Sequence, residues 1–191
     1  LDGATRPRII DLFHVLRTFD PAARITDNIW GYLWGKMGYG AMLFASALTN
    51  ESIADVLAAR HVRPILDALA LEVLQVANAE GVVPLGFNGF DPSAFLLETA
   101  SERRTASYEA MERHNRGSAK THSGVWRDLA VRKRRTEVDA QYGPIVERAQ
   151  LHGIDVPHLT RMIDLIHAVE ESRAQQAWAT LEAIGTDAPG A

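Results

Sequence analysis

The chain has 191 residues, no cysteine and a formal net charge of -4. Its apolar share of 47% and charged share of 23% are typical of one soluble globular domain. The negative charge argues against nucleic acid as the main partner, and the lack of cysteine excludes disulfides and thiolate chemistry. No apolar run is long enough to span a membrane and no signal peptide is visible, so a membrane partner is not expected.

Apolar periodicity predicts helices through the first half of the chain. The helices cover residues 6–19, 29–48, 51–59 and 62–80, and a short stretch at 22–26 has the composition of a strand. Thr26, Asp27 and Asn28 can cap the second helix, and Gly81 can end the fourth. The segment that follows, residues 81–92, is rich in Gly and Pro and is predicted to be a loop.

The second half of the chain also has helical periodicity, which makes the predicted fold class all-α. A helix is expected to start at Pro92, a polar helix to cover 101–120, and a loop or helix start to cover 121–128. Two further helices are predicted over 129–151 and 156–184, separated by a glycine cap at Gly153. Residues 186–191 are predicted to be a frayed tail.

Lys36 is the most informative single residue, because it is one of three lysines against seventeen arginines. It lies in the predicted second helix, among neighbours that are otherwise apolar or small. An ammonium in such surroundings extends to water, pairs with a carboxylate, or loses its proton more easily. The last two arrangements are those of catalytic lysines, and the first is the ordinary solvated case.

Several common site patterns are missing from the sequence. It contains no G-x-G-x-x-G and no Walker lysine motif, and its seven histidines form no compact metal-ligand set. The crowded glycines Gly31, Gly35, Gly38 and Gly40 lie inside a helical pattern. They indicate close packing of that helix against a neighbour or a ligand.

A basic run, residues 132–135, is followed closely by Glu137. The run is either a solvated helix face or a cluster that attracts an anionic substrate or a phosphate-bearing cofactor. Glu137 borders a buried stripe, so it is either a surface partner of these arginines or an inward-facing carboxylate. In the second case Lys36 is the obvious partner.

Four segments together resemble the ketopantoate reductase (2-dehydropantoate 2-reductase) family. Residues 33–37, LWGKM, resemble the L-W-x-K-L stretch that opens the family's helical domain. Residues 123–139 resemble its S-x-M-x-x-D…R-x-T-E-[IV]-D segment, and residues 143–157 resemble the G-x-[IL]-[IV]…G-[IV]-x-x-P that follows. Residues 72–82 match an E-V…A…G-V helix end, so the likeness covers roughly 25–169.

The resemblance implies a multi-helix C-terminal domain of the 6-phosphogluconate-dehydrogenase-like type. In this family an N-terminal Rossmann domain carries the glycine fingerprint and binds most of the NADPH, and the sequence is expected to lack that half. Residues 1–26 would then be a remnant of the Rossmann domain, with a strand end at 1–3. Residues 27–185 would be a helical substrate and dimerisation domain.

The resemblance also implies roles for three residues. Lys36 matches the family's catalytic lysine, which would donate a proton or hydrogen bond to the ketone oxygen. Glu137 matches the active-site glutamate, which would orient the lysine or hold a substrate hydroxyl. Ser123 is a candidate donor to the substrate carboxylate, although its spacing to Glu137 is about one residue longer than usual.

One departure from the family concerns the substrate. The family carries asparagines four and eight residues after the lysine, where this chain has Gly40 and Phe44. We expect these two positions to contact substrate and to favour a bulkier or more apolar 2-oxo acid, or another ketone, over ketopantoate.

The resemblance implies a cytoplasmic, NADPH-dependent enzyme with a small-molecule substrate and a place in pantothenate biosynthesis, and it leaves a homodimer open. The alternatives are a non-catalytic helical interaction module, or a superfamily reductase acting on an imine or a larger substrate.

Overall fold

The computed structural model describes residues 5–96 and 101–186, and every regular element in these two ranges is helical. The α-helices are α1 (Pro7–Phe19), α2 (Ile29–Ser46), α3 (Ile53–Ala58), α4 (Arg63–Ala79), α5 (Ser93–Leu96), α6 (Ser101–Arg116), α7 (Gly124–Trp126), α8 (Val138–Leu151), α9 (Pro157–Glu170) and α10 (Trp178–Glu182). A π-helical turn, Arg127–Arg132, continues α7, and 3-10 turns occupy Arg60–Val62 and Ala183–Gly185. The predicted all-α class is confirmed.

The core is built around α4, which packs against α2 on one side and α9 on another. Its apolar positions recur at helical spacing, and Leu66, Leu69 and Val73 are fully buried. α3 packs on α6, and α8 packs on α9. None of the described helices is both long and apolar enough to cross a membrane.

The loop after α4 lies across the glycine-rich face of α2. The Leu85 amide donates to the Gly31 carbonyl at 2.9 Å, and a Cβ at Gly35 would overlap the carbonyl of Leu85. Only glycine permits this approach of one backbone to another. The predicted close packing of α2 is therefore confirmed, and at these two glycines the neighbour is the loop.

A buried carboxylate joins α4 to α9. Glu72 is 6% exposed and accepts hydrogen bonds from the His158 amide at 3.0 Å, the His158 ring at 2.7 Å and the Leu159 amide at 2.8 Å. These amides belong to the first turn of α9, whose N–H groups have no partner within the helix. Glu72 therefore caps α9 from a different helix.

The prediction of one helix over 129–151 is wrong. The π-helical turn ends at Arg132, and Lys133 adopts a left-handed conformation with φ of 51°. The chain then folds back, so that the Arg134 amide donates to the Asp128 carbonyl at 3.1 Å. The next helix begins only at Val138 because residues 133–137 are irregular.

The prediction of one long final helix over 156–184 is also wrong. α9 ends at Glu170, and Ser172 is left-handed with φ of 58°. Tertiary hydrogen bonds then draw the chain to the end of α2. The Ala177 amide donates to the Leu48 carbonyl at 2.8 Å, and the Gln176 side chain donates to the Ala47 carbonyl at 2.8 Å.

The N-terminal helix differs from the longer helices in its lack of burial. α1 forms as predicted but has no buried residue, and Phe19 is 82% exposed. Residues 22–26 are irregular, so the strand predicted there is wrong. The predicted strand end at residues 1–3 and most of the predicted tail, residues 187–191, lie outside the described residues.

Candidate functional site

A cleft of about 440 Å³ lies between α2, the loop at residues 87–88, α7 with its π-helical turn, and the start of α8. All five site residues proposed from the sequence line it: Lys36, Gly40, Phe44, Ser123 and Glu137. Two larger cavities, of about 640 and 570 Å³, lie elsewhere and contain none of the five. The fold thus brings residues from three separate segments to one cleft.

Lys36 and Glu137 both have exposed side chains at this cleft. Within residues 5–96 and 101–186, Lys36 makes no ion pair. The Glu137 carboxylate accepts from the Gln141 side chain at 3.0 Å, one turn further along α8. The Lys36 side chain therefore extends to solvent. Glu137 is hydrogen-bonded to an amide, and its charge also acts on Arg134 of the basic run.

Ser123 is 5% exposed and is the N-cap of α7. Its hydroxyl oxygen accepts from the Trp126 amide at 3.1 Å, which is the usual reason for serine at this position. The cap uses the oxygen as an acceptor, so the hydroxyl proton remains available to donate. Ser123 is consequently fixed in place by the local structure at the wall of the cleft.

Gly40 does not leave open space beside Lys36. The space is filled by Tyr142 of α8, because a Cβ at Gly40 would lie 2.8 Å from the Tyr142 hydroxyl. That hydroxyl donates to the Met37 carbonyl of α2 at 3.0 Å. Phe44 packs edge-on against Tyr142, with ring centroids 5.0 Å apart. Gly40, Phe44 and Tyr142 therefore form one interlocked contact between α2 and α8.

The sequence interpretation missed Tyr39 and Asn115. Tyr39 lines the cleft three residues after Lys36, and the Asn115 side-chain nitrogen donates to its hydroxyl at 2.7 Å. The same nitrogen donates to the Met111 carbonyl at 2.7 Å, which fixes the amide orientation. The Tyr39 oxygen is thus an acceptor here, and its own proton is left to donate. Burial raises the pKa of Tyr39, which keeps the phenol neutral. The three-residue spacing from Lys36, which places Tyr39 near it on the helix, could have identified this residue from the sequence.

The sequence interpretation also gave no role to Asp128. Asp128 is 8% exposed at the cleft, and its pKa is lowered chiefly by the hydrogen bond from Arg134, with Arg132 adding to the effect. Of the basic run, Arg132 and Arg134 line this cleft, whereas Arg135 does not. The solvated-face interpretation therefore does not describe the whole run.

The charges and the size of the cleft limit what it can hold. Lys36, Lys120, Arg132 and Arg134 face two acidic side chains, Asp128 and Glu137, so the lining is positive in a chain of net charge -4. A volume of about 440 Å³ suits a small organic molecule. The described residues contain no strand followed by a glycine-rich phosphate turn, so they do not fit a whole dinucleotide. No group of residues in the described ranges is arranged to hold a metal ion.

Comparison with known proteins gives a consistent result. A family model described as ketopantoate reductase PanE/ApbA C terminal matches residues 28–170, which is more than half of the chain. Among solved structures, the chain is similar to a PanE/ApbA family ketopantoate reductase from Ralstonia eutropha JMP134, with 23% identity and a TM-score of 0.66. The match covers 88% of this chain and 50% of that one, so the chain spans about half the length of this relative.

No curated protein matches the chain. The likeness to the solved reductase shows a shared fold, and the family model extends over α2 to α9, including every proposed site residue. The chain belongs to the ketopantoate reductase PanE/ApbA C-terminal family.

Proposed function

We propose that the chain is the helical substrate domain of an NADPH-dependent reductase that converts a 2-oxo acid, or a related ketone, into the hydroxy compound. The observation that carries this proposal is the meeting of Lys36, Ser123 and Glu137 in one cleft. The three residues come from α2, the start of α7 and the start of α8, and they lie in the segments that resemble the family's motifs.

Lys36 would act as the proton donor. Reduction of a ketone adds a hydride to the carbonyl carbon and a proton to the oxygen, so charge develops on that oxygen. An ammonium beside the oxygen stabilises this charge and supplies the proton, and water then reprotonates the resulting amine. Glu137, steadied by Gln141, would hold a substrate hydroxyl or orient Lys36 as the cleft fills.

The walls of the cleft support a substrate with an apolar part. Met37, Leu43, Phe44 and Phe87 line it, and neither position 40 nor position 44 offers an amide. The family's asparagines at these two positions would each donate or accept a hydrogen bond. Without them, binding of a substrate hydroxyl is weaker by about 1 kcal/mol for each missing hydrogen bond. We therefore expect the cleft to prefer a bulkier, more apolar 2-oxo acid over ketopantoate.

NADPH would supply the hydride, and the described residues do not form a site for its phosphates. The isolated 191-residue chain should consequently bind NADPH only weakly, because a glycine turn at a helix N-terminus is what normally holds the pyrophosphate. Fluorescence titration with NADPH measures this. Binding at micromolar concentration or tighter would show that the cofactor site is misplaced.

Substitution of Lys36 in the intact natural protein tests the proposal. Lys36→Ala should lower NADPH-dependent turnover of 2-oxo acids by about 100-fold or more, which is the scale for removing a positioned acid. Lys36→Arg is the matched control for charge. It should also fail, because a guanidinium keeps its proton near neutral pH. Full turnover in Lys36→Ala would contradict the assignment.

The second candidate, a non-catalytic helical interaction module, is favoured by the uncovered apolar face of α1. A panel of 2-oxo acids, cyclic imines and larger ketones separates the candidates. Turnover of any oxo acid or ketone supports the reductase, preference for an imine supports the superfamily alternative, and complete inactivity with NADPH supports the module.

A further inference from the structure

We propose that Arg132 and Arg134 form an anion-binding site at one side of the Lys36 cleft, and that this site holds the carboxylate of the substrate. The identification of the anion as a 2-oxo acid rests on the proposed function. The binding site itself rests on the arrangement of the basic run around Asp128.

The first observation is an imbalance of charge. The Arg132 Nη1 and the Arg134 Nε both donate to the same Asp128 oxygen, Oδ1, each at 2.9 Å. Two guanidinium groups thus share a single carboxylate. Asp128 alone thus leaves one positive charge over, and Glu137, whose charge also acts on Arg134, offsets part of it. Lys36 and Lys120 add positive charge to the lining of the same cleft.

The second observation is the supply of free donors. A guanidinium carries five N–H donors in a planar fork, and Asp128 takes one from each arginine. The two side chains are 50% and 60% exposed and both line the cleft, so each has donors that are open to solvent. Such forks match the two oxygens of a carboxylate, which is why arginine recognises carboxylates in preference to lysine.

The third observation is that the local backbone fixes the positions of the two arginines. The π-helical turn ends at Lys133, whose φ of 51° is strained for a residue with a side chain. The amides of Lys133 and Arg134 both donate to the Asp128 carbonyl. A solvated helix face would need none of these features, whereas strained backbone and π turns occur often at functional sites.

A carboxylate fits this site better than a cofactor phosphate does. The arginines share one cleft of about 440 Å³ with Lys36 and Ser123, and Leu43, Phe44 and Phe87 form an apolar part of its wall. An oxo acid with an aromatic or branched apolar body could place its carboxylate at the arginines and its body on this wall. A phosphate group has no apolar part that could contact this wall.

Titration of the 191-residue chain with phenylpyruvate, followed by backbone amide NMR, tests the site. Arg132→Gln is the variant of choice, because Arg134 still pairs with Asp128 and keeps the turn intact. Arg135→Gln is the matched control: it removes the same charge from the same run, and Arg135 does not line the cleft. A parallel titration with 2′,5′-ADP tests whether the site binds a cofactor phosphate instead of a carboxylate.

We expect phenylpyruvate to shift the amides of residues 127–134. We expect Arg132→Gln to weaken its binding by about 10-fold and Arg135→Gln by less than about 2-fold. Equal weakening by both variants would show a general charge effect and overturn the proposal. No binding at about 20 mM, or tighter binding of 2′,5′-ADP that Arg132→Gln abolishes, would overturn it too.

Failure of this inference and failure of the proposed function are distinguishable. If phenylpyruvate binds through Arg132 but the intact protein reduces no oxo acid with NADPH, the anion site stands and the reductase proposal fails. If the intact protein reduces oxo acids and Arg132→Gln leaves KM unchanged, the reductase proposal stands and the anion site is refuted.

Discussion

The helices α1 and α4 have similar amphipathic sequences but different surroundings. α4 buries eight of its residues, and Leu69 in its middle is 0% exposed. α1 buries none, and Phe19 at its end is 82% exposed. The comparison shows that apolar periodicity predicts a helix and the face that favours burial. It does not say which surface covers that face.

The uncovered apolar surface continues from α1 to the first turns of α2. Ile29, Trp30 and Leu33 are each 40% exposed or more, whereas the second half of α2 is almost entirely buried. Lys36 lies at the boundary between these halves. Under the proposed function, we expect the nicotinamide-binding domain to lie on this side of the cleft.

The difference in packing between α1 and α4 can be measured with one substitution in each helix or at its end. Leu69→Ala should cost about 2–5 kcal/mol of unfolding free energy, because it leaves a cavity in the core. Phe19→Ser should change that free energy by about 0.5 kcal/mol or less, because the side chain is already in water. Urea denaturation of both variants measures the difference. A similar cost for the two would mean that α1 is packed in solution.

The buried cap between α4 and α9 is expected to give the next largest effect. Glu72→Ala leaves two amides and an imidazole without their acceptor, and hydrogen bonds to charged groups contribute about 1.5–3 kcal/mol. We expect a loss of about 3 kcal/mol by urea denaturation. Glu72→Gln should cost less, since one amide oxygen still accepts. A Glu72→Ala variant as stable as the wild type would refute the capping role.

The contact of Gly40 with Tyr142 should show as energetic coupling. Gly40→Ala should destabilise the fold by about 1 kcal/mol, since overpacking outweighs the gain in helix propensity. Tyr142→Phe should cost a similar amount through the lost bond to the Met37 carbonyl. The double variant should cost at least about 0.5 kcal/mol less than the sum, because the clashing hydroxyl is gone. Simple additivity would contradict the interlock.

The same contact predicts how substrate preference can be changed. Gly40→Asn with Phe44→Asn alone should fold poorly, because Tyr142 occupies the space. Adding Tyr142→Ala makes room for the amides, and the triple variant should shift kcat/KM toward ketopantoate relative to phenylpyruvate. Efficient reduction of ketopantoate by the wild-type intact protein would show that positions 40 and 44 do not set the preference.

The smallest expected effect is a dependence of stability on pH at Asp128. The hydrogen bonds from Arg134 and Arg132 lower its pKa below the ordinary value of 3.8. The pairing therefore stabilises the fold at every pH above about 4 and is lost as the pH falls through the lowered value. Urea unfolding of wild type and Asp128→Asn from pH 7 to pH 2.5 should show the gap narrowing only in acid. A gap that is constant with pH would contradict the pairing.

Some of these features could be predicted from the sequence, and the reasons differ by element. Helical periodicity and caps were sufficient for α1, α2, α4 and α6, whose signals are local. The ends of the π-helical turn and of α9 were missed, because Lys133 and Ser172 take left-handed conformations that apolar periodicity does not indicate. A π-helical turn holds one residue more than an α-helical one, which accounts for the longer spacing from Ser123 to Glu137.

Only the site residues that lie in recognisable sequence motifs could be predicted. Lys36, Ser123 and Glu137 were found by resemblance, but their meeting in one cleft depends on packing between α2, α7 and α8. Tyr142 and Asn115 could not be assigned from the sequence, because each acts across more than seventy residues on an atom of α2.

The central claim is that the Lys36 cleft belongs to a reductase. The most direct measurement is transfer of deuterium to a 2-oxo acid by the intact natural protein from NADPH in which both C4 hydrogens are deuterium, followed by mass spectrometry of the product. We predict a hydroxy acid carrying one deuterium on the carbinol carbon, formed about 100-fold more slowly by Lys36→Ala. An unlabelled product, or labelled product formed equally fast by Lys36→Ala, would contradict the account.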